Sequence, residues 1–197
     1  VILPPMIGLT GYSTVGKDTL AELLGDRHEY HRIGLGDPLY AILLAMDPLV
    51  PATVRAGFIP IPVGELLRRR VTWRAAKDDY IYGPELIKLL QRLATDGMRT
   101  YLGEDVWIRT AQRTIEEKGW WRVVISDVRF ANEVEWVHQH GGVVVRIKRS
   151  GVGPVNDHVA DAGQDELKVD YTIVNDTTPK AMLDALEGHL WRPGETA

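Results

Sequence analysis

Gly11-Tyr12-Ser13-Thr14-Val15-Gly16-Lys17-Asp18-Thr19 has the residue types and spacing of a phosphate cradle. Glycines at its two ends let the backbone N–H groups of Gly11, Val15 and Gly16 curl around the β- and γ-phosphates of a nucleotide. A helix that follows adds the positive potential of its N-terminus, and Lys17 supplies a full charge. Ser13 and Thr14 carry hydroxyls that can hydrogen-bond phosphate oxygens. One position departs from the rule, because Asp18 stands where Ser or Thr usually offers a hydroxyl to magnesium. Thr19 is no simple substitute, since one step along a helix turns the side chain by about 100°. A carboxylate is a good hard ligand for magnesium, directly or through water. The competing reading is that Asp18 caps the helix.

Further along, several polar residues have both a functional and a plain reading. Asp37, at the end of a weak strand, can orient an acceptor phosphate or a magnesium-bound water, or can simply make an Asp-Pro turn. Asp127 ends the strongest strand, as a Walker-B-like magnesium ligand would, or a group that holds the metal through another ligand. Arg129 can reach a transferred phosphate or pair with Glu133 at i+4. Gln91, Thr95 and Arg99 recur every four residues and offer an amide, a hydroxyl and a cation on one helix face, which is otherwise a solvated face. Arg68, Arg69, Arg70, Arg74 and Lys77 are opposed only by Glu65. Arg70, Arg74 and Lys77 share one face of a continuous helix, with Arg70 the foremost candidate to meet an acidic substrate. Trp73, Tyr80, Tyr82 and Trp107 can stack on a base or fill the core. His158, with Asp157 and Asp161, has too few convergent ligands for a metal site. Neither H-E-x-x-H nor G-x-S-x-G occurs.

These residues need a frame. Met6–Thr10, Ile33–Gly36, Arg122–Ser126, Val143–Ile147 and Tyr171–Val174 read as strands. Helical patterns alternate with them, including Asn132–His140 and a last helix with Thr178 as N-cap and Pro179 at its first position. The alternation predicts an α/β protein with a mostly parallel sheet. From about Asp47 to Glu117 no convincing strand is legible. That stretch reads as an inserted helical lobe, with Leu86, Leu90 and Leu93 forming an apolar stripe. Val50–Gly64 and Ser150–Gln164 read as mobile loops, and Arg192–Ala197 as a frayed end.

Composition fits that frame. The 197 residues carry 23 Lys plus Arg against 27 Asp plus Glu, a formal charge of −4, with 45% hydrophobic and 25% charged residues. These are the proportions of a soluble globular protein, and net negative charge argues against nucleic acid as the main partner. No run is long and apolar enough for a membrane span, and no signal peptide opens the sequence. The absence of cysteine excludes a disulfide scaffold, a thiol nucleophile and thiolate zinc sites, and suits a reducing cytoplasm.

Several segments together resemble the phage deoxynucleoside monophosphate kinases of the P-loop kinase superfamily. The loop ending Gly16-Lys17-Asp18 is similar to theirs, and phosphomevalonate kinases share that aspartate. Gly36–Leu39, Leu89–Arg99 with Trp107 downstream, Ser126–Glu133 and Asp170–Asp176 resemble further family segments, in family order, over nearly the whole chain. The resemblance implies a three-layer P-loop kinase fold over 1–197, with about 47–117 as an inserted helical NMP-binding lobe and about 149–166 as a mobile loop. It implies transfer of the ATP γ-phosphoryl group to a dNMP, with magnesium near Asp18 and Asp127. Lys17, Asp37 and Arg129 would be catalytic. Asn175 would join the loop at the nucleotide, and Asp37, Arg70, Gln91, Thr95, Arg99 and Trp107 would meet the acceptor. A homodimer in the cytoplasm, the host's if phage-encoded, is implied as well, although no interface is legible in the residues. The alternatives are another small-molecule P-loop kinase, such as one acting on phosphomevalonate, and a GTP-binding regulatory switch. The absence of an N-K-x-D motif counts against the switch, and the −4 charge disfavours a nucleic-acid-directed ATPase.

Overall fold

The computed structural model describes residues 3–53, 57, 59–153 and 163–190. Part of the Val50–Gly64 segment, the Asp157, His158 and Asp161 group, and Arg192–Ala197 lie outside the described residues. The chain forms two compact units, Val1–Leu35 with Trp107–Ala197, and Gly36–Val106.

In the first unit, the buried run Met6–Thr10 (β1) leads through the Gly-rich loop into Lys17–His28 (α1) and His31–Ile33 (β2). Val106–Lys118 (α7) then precedes Val123–Ile125 (β5), followed by Ala131–Gln139 (α8), Val143–Lys148 (β6), Tyr171–Val174 (β7) and Pro179–Leu190 (α9). The five strands form one parallel sheet in the order β2-β5-β1-β6-β7. The β1→β2 crossover runs one way along the sheet and the later crossovers run the other. Right-handed connections therefore put α1 on one face and α7 and α8 on the opposite one. Side chains agree: Ile7 and Leu9 join a core with Leu20 and Leu24 of α1 and Met182, Leu183 and Leu186 of α9. Gly8 faces the other way, where an added Cβ would come within 3.2 Å of Val137 in α8. Burial on both faces explains why β1 and β5 read as unbroken apolar runs. Val124 and Ile125 are both at 0% exposure, and each gains about 2 kcal/mol from leaving water.

The three-layer α/β fold is thus the expected one, and the Thr178 cap is in place, its Oγ1 accepting the Ala181 N–H at 3.2 Å. Two local expectations are corrected. β2 lies two residues earlier than expected, because its register pairs Ile33 with Ile125 where β5 itself ends. Beyond that point Leu35 N–H donates to the Asp127 carboxylate at 2.7 Å instead of to a ladder. Asp37 consequently does not end a strand. It stands in the first turn of a helix, Asp37–Met46 (α2), whose start Pro38 presets.

The second unit contains α2, Leu49–Val50 (β3), Ile61–Pro62 (β4), Val63–Arg70 (α3), Trp73–Lys77 (α4), Gly83–Gln91 (α5), a π-helical segment Arg92–Arg99, and Thr100–Leu102 (α6). β3 and β4 pair antiparallel, Val50 with Ile61, in a stretch where sequence shows no strand. Two-residue strands bounded by Pro48, Pro51 and Pro60 are too short to show alternation, and Pro62 within β4 is tolerated because an edge position needs no donor. Leu86 and Leu90 are buried as the leucine stripe predicts, but Leu93 is only half-buried. The switch to i→i+5 bonding at Arg92 changes the period there.

Candidate active site

Thr10 is the last residue of β1, and three of the next six residues take positive φ: Gly11 at 128°, Thr14 at 69° and Gly16 at 108°. Positive φ at these positions is the kind of backbone path from which anion-binding nests are built. α1 begins directly after, so its orphan amides face the same space. Lys17 Nζ donates to the carbonyls of Gly11 at 2.5 Å and Tyr12 at 2.7 Å, which holds its charge over the loop. Ser13, Thr14, Asp18 and Thr19 are exposed, while Val15 anchors the loop in the core.

Neighbouring strand ends brace the loop. Asn175, just after β7, donates Nδ2–H to the Val15 carbonyl at 2.7 Å, and its backbone N–H bonds Lys148. The Tyr12 hydroxyl donates to the Asp165 carboxylate of a short 3-10 turn, Gly163–Glu166. Asp176 accepts from both the hydroxyl and the amide of Ser150, which hold its carboxyl below the usual range. A cavity of about 190 Å³ opens beside the loop, its lining including Tyr12, Val15, Arg146, Arg149 and Val152. Arg149, which the sequence reading did not single out, brings an Nη to 3.5 Å from the Thr14 carbonyl.

On the other side of β1, the segment after β5 returns to it, with Val128 N–H on the Leu9 carbonyl at 3.0 Å. Asp127 is therefore beside the root of the loop. The N–H groups of Arg129 and Phe130 donate to buried Glu133, which caps α8 and fixes the turn that carries Arg129. Asp18 lies in the first turn of α1, where Gly16 is the N-cap, and pairs with Arg32 at 3.5 Å. Its side chain is 73% exposed, so the pair is weak and leaves the carboxylate accessible.

A magnesium ion suits this donor set. The cation is usually held by one or two carboxylates, with water and substrate phosphates completing its shell. Asp18 and Asp127 are hard oxygen donors of that number. At the same sheet edge, the hydroxyls of Thr10 and Ser126 are buried without a hydrogen-bond partner. Among the described residues no group of three or more His, Cys, Asp or Glu could cage a metal within protein alone.

Trp107, in the first turn of α7, is buried at 5% exposure. The remaining candidates belong to the second unit. Asp37 is exposed, Gln91 ends α5, and Thr95 and Arg99 lie in the π-helical segment, with Arg99 buried. Arg70, Arg74 and Lys77 do not share one helix face, as the sequence suggests, because the helix breaks at Val71 and restarts at Thr72. Thr72 caps α4 with its Oγ1 on Ala75 N–H. Arg68 and Arg69 pair with Glu65, whereas Arg70 Nε donates to Asp79 at 2.6 Å. Burial pushes the Asp79 carboxyl up, but the N–H groups of Tyr82 and Ile81 and the Arg70 guanidinium outweigh it and hold the group below its ordinary value. No spacing rule singles out Asp79. Its signal is an aspartate ahead of Gly83-Pro84, the place of an Asx-type turn before a helix.

Tyr82 is buried, with its hydroxyl on the Ile59 carbonyl, and Trp73 packs on Tyr40 at 4.9 Å between ring centres. Tyr80 is exposed. Among the described residues no helix is long and apolar enough to cross a membrane.

The chain is similar to a candidate deoxynucleotide monophosphate kinase of Acanthamoeba polyphaga mimivirus, 28% identical over 88% of this chain and 89% of that protein. Among solved structures it aligns with shikimate kinase from Aquifex aeolicus at 12% identity and a TM-score of 0.49, covering 94% of this chain and 95% of that one. Dephospho-CoA kinase from Campylobacter jejuni aligns at 13% identity and a TM-score of 0.43, covering 93% and 94%. The family model for deoxynucleotide monophosphate kinase matches residues 85–186, a stretch that does not include the Gly11–Thr19 loop. That match takes in more than half of the sequence and runs through both compact units, and the chain belongs to the deoxynucleotide monophosphate kinase family.

Proposed function

We propose that the protein transfers the γ-phosphoryl group of ATP to the 5′-phosphate of a deoxynucleoside monophosphate, giving the diphosphate and ADP. An acceptor phosphate oxygen forms the new P–O bond while the bond from Pγ to the β–γ bridging oxygen breaks, and that oxygen leaves on ADP. The observation that carries this reading is the loop from Gly11 to Thr19, with its positive-φ backbone at Gly11, Thr14 and Gly16 and the Lys17 ammonium held on the loop carbonyls. It supplies fixed positive potential where negative charge gathers during transfer.

Lys17 and the loop amides hold the donor phosphates, and Ser13, Thr14 and Thr19 add hydroxyls. Asn175 keeps the loop in shape through Val15. Arg129 supplies a cation to the transferred group. Asp37, Arg70, Gln91, Thr95, Arg99 and Trp107 recognise the acceptor. Asp18 and Asp127 would hold magnesium, which would supply positive charge to the donor phosphates. Little covalent chemistry falls to the protein, so orientation and exclusion of water dominate.

Turnover of dTMP, dGMP, dCMP and dAMP with ATP and magnesium tests the reading, with the matching ribonucleotides and phosphomevalonate as controls. We expect several dNMPs to be phosphorylated, with kcat/KM about 10²-fold above the ribonucleotide, the limit set by crowding an extra hydroxyl in an apolar pocket. Turnover of phosphomevalonate alone, or GTP binding without transfer to any monophosphate, would sink it.

Asp18 gives a second expected result. Asp18→Ala should need several-fold more magnesium to reach half-maximal rate, and Asp18→Ser should recover part of that deficit. Superimposable magnesium titrations for all three proteins would leave Asp18 as no more than the partner of Arg32.

A further inference from the structure

We propose that Asp79 is a positioning residue, one that clamps Arg70 by its Nε edge and so presents the outer Nη fork to the phosphate monoester of the acceptor. The inference rests on the dNMP kinase reading and adds a residue and a geometry to it.

Asp79 is built into the second unit. Its side chain is 2% exposed, and three donors converge on it: Ile81 N–H at 2.7 Å and Tyr82 N–H at 2.9 Å on Oδ1, and Arg70 Nε at 2.6 Å on Oδ2. Arg70 is half-exposed, and among the described residues no protein acceptor meets its Nη groups. The neighbouring cations lack such an anchor. Arg68 and Arg69 lie along the surface of α3 on Glu65, and Arg74 reaches exposed Asp78 only at 3.9 Å. A guanidinium fixed along one edge keeps two parallel N–H groups at its end, which match two oxygens of a phosphate.

The backbone supports the same conclusion. In one continuous helix, Arg70 and Asp79 would be about 13 Å apart along the axis. They meet because the chain turns at Val71, with φ 68° and ψ −35°, and Thr72 N–H bonds the Arg70 carbonyl at 2.8 Å. That is a tight turn of the rare, strained γ kind, at a β-branched residue. Val71 is 84% exposed, so its own packing does not compensate for the strain. Strain of this sort persists where the surroundings impose it, and it gathers at ligand clamps. Here the Arg70–Asp79 contact joins the two sides of the turn.

The test is steady-state kinetics with dTMP and ATP on the full chain, for wild type, Arg70→Ala, Arg70→Lys, Asp79→Asn and the Arg70→Ala/Asp79→Asn double variant. We expect Arg70→Ala to raise the dTMP KM about 10²-fold, and Arg70→Lys and Asp79→Asn to raise it about tenfold, with the ATP KM within about twofold throughout. In the Arg70→Ala background, Asp79→Asn should add less than about twofold, because it acts through Arg70. An equal effect of Asp79→Asn with and without Arg70 would overturn the proposal, as would an equal rise in both KM values. If Asp79→Asn does not fold, Arg70→Lys decides: a wild-type dTMP KM there would mean that the fork is not used. Should the wild type phosphorylate no dNMP, the function reading fails by itself. The same series, read by calorimetric binding of dTMP without donor, still supports or overturns the role of Asp79.

Discussion

Replacing Lys17 by Met lowers phosphoryl transfer by about 10³-fold or more while the protein keeps its fold. The side chain belongs to the loop and not to the core: it is half-buried, and its Nζ donates to the Gly11 and Tyr12 carbonyls. Methionine is unbranched and flexible, so it fits the first turn of α1 without strain. Gly11 is buried and Tyr12 half-buried, so leaving their carbonyls without this donor costs about 1–3 kcal/mol, which a folded domain tolerates. What disappears is a charge already in place when the transferring group becomes most negative. Measuring kcat/KM beside the thermal midpoint separates the two effects. Turnover near normal in a folded Lys17→Met protein would remove this loop from the mechanism.

The loop was legible in sequence because it is local: two glycines, a lysine and a strand-to-helix context lie within nine consecutive residues. The parallel sheet was legible for a related reason, since strands buried on both faces show as β-branched runs such as Val123–Ile125. Less local features escaped. The break at Val71 has no Gly or Pro to announce it, so Arg70, Arg74 and Lys77 read as one face although a strained turn divides them. The pairing of Val50 with Ile61 joins residues too few to show a period. Asp79 carries an Asx-turn signal, but its grip on Arg70 depends on how α3 and α4 fold back, which no spacing rule encodes. Ile33–Gly36 looks extended in sequence and puts Asp37 at a strand end, but register with β5 ends the strand at Ile33. In each case the missing information was a long-range pairing or a backbone strain set by tertiary packing.

Gly11 and Gly16 open and close the same loop, and alanine should harm them to different degrees. At Gly11, φ is 128°, and an added Cβ would lie 2.3 Å from the carbonyl oxygen of Ile147. That oxygen belongs to β6, which is paired on both sides, with β1 and with β7, so it cannot give way. The loop itself must move, taking its N–H groups off their common target. Backbone strain of about 1–3 kcal/mol adds to a contact far inside van der Waals distance. We expect Gly11→Ala to cost about 3 kcal/mol or more in stability and at least about 10²-fold in kcat/KM. At Gly16, φ is 108° but the obstacle is the end of a side chain, Asn175 Nδ2 at 2.5 Å. Asn175 can swing away, at the price of its bond to the Val15 carbonyl. Gly16→Ala should therefore be the milder change, and adding Asn175→Ala should relieve the steric part of its cost. Gly11→Ala has no such rescue, because no side-chain substitution moves a backbone oxygen in the middle of a sheet. Thermal melts and kcat/KM for the four proteins, including the Gly16→Ala/Asn175→Ala pair, measure the difference. A Gly11→Ala protein with wild-type melting and turnover would mean that the loop does not adopt the positive-φ path on which the phosphate cradle depends.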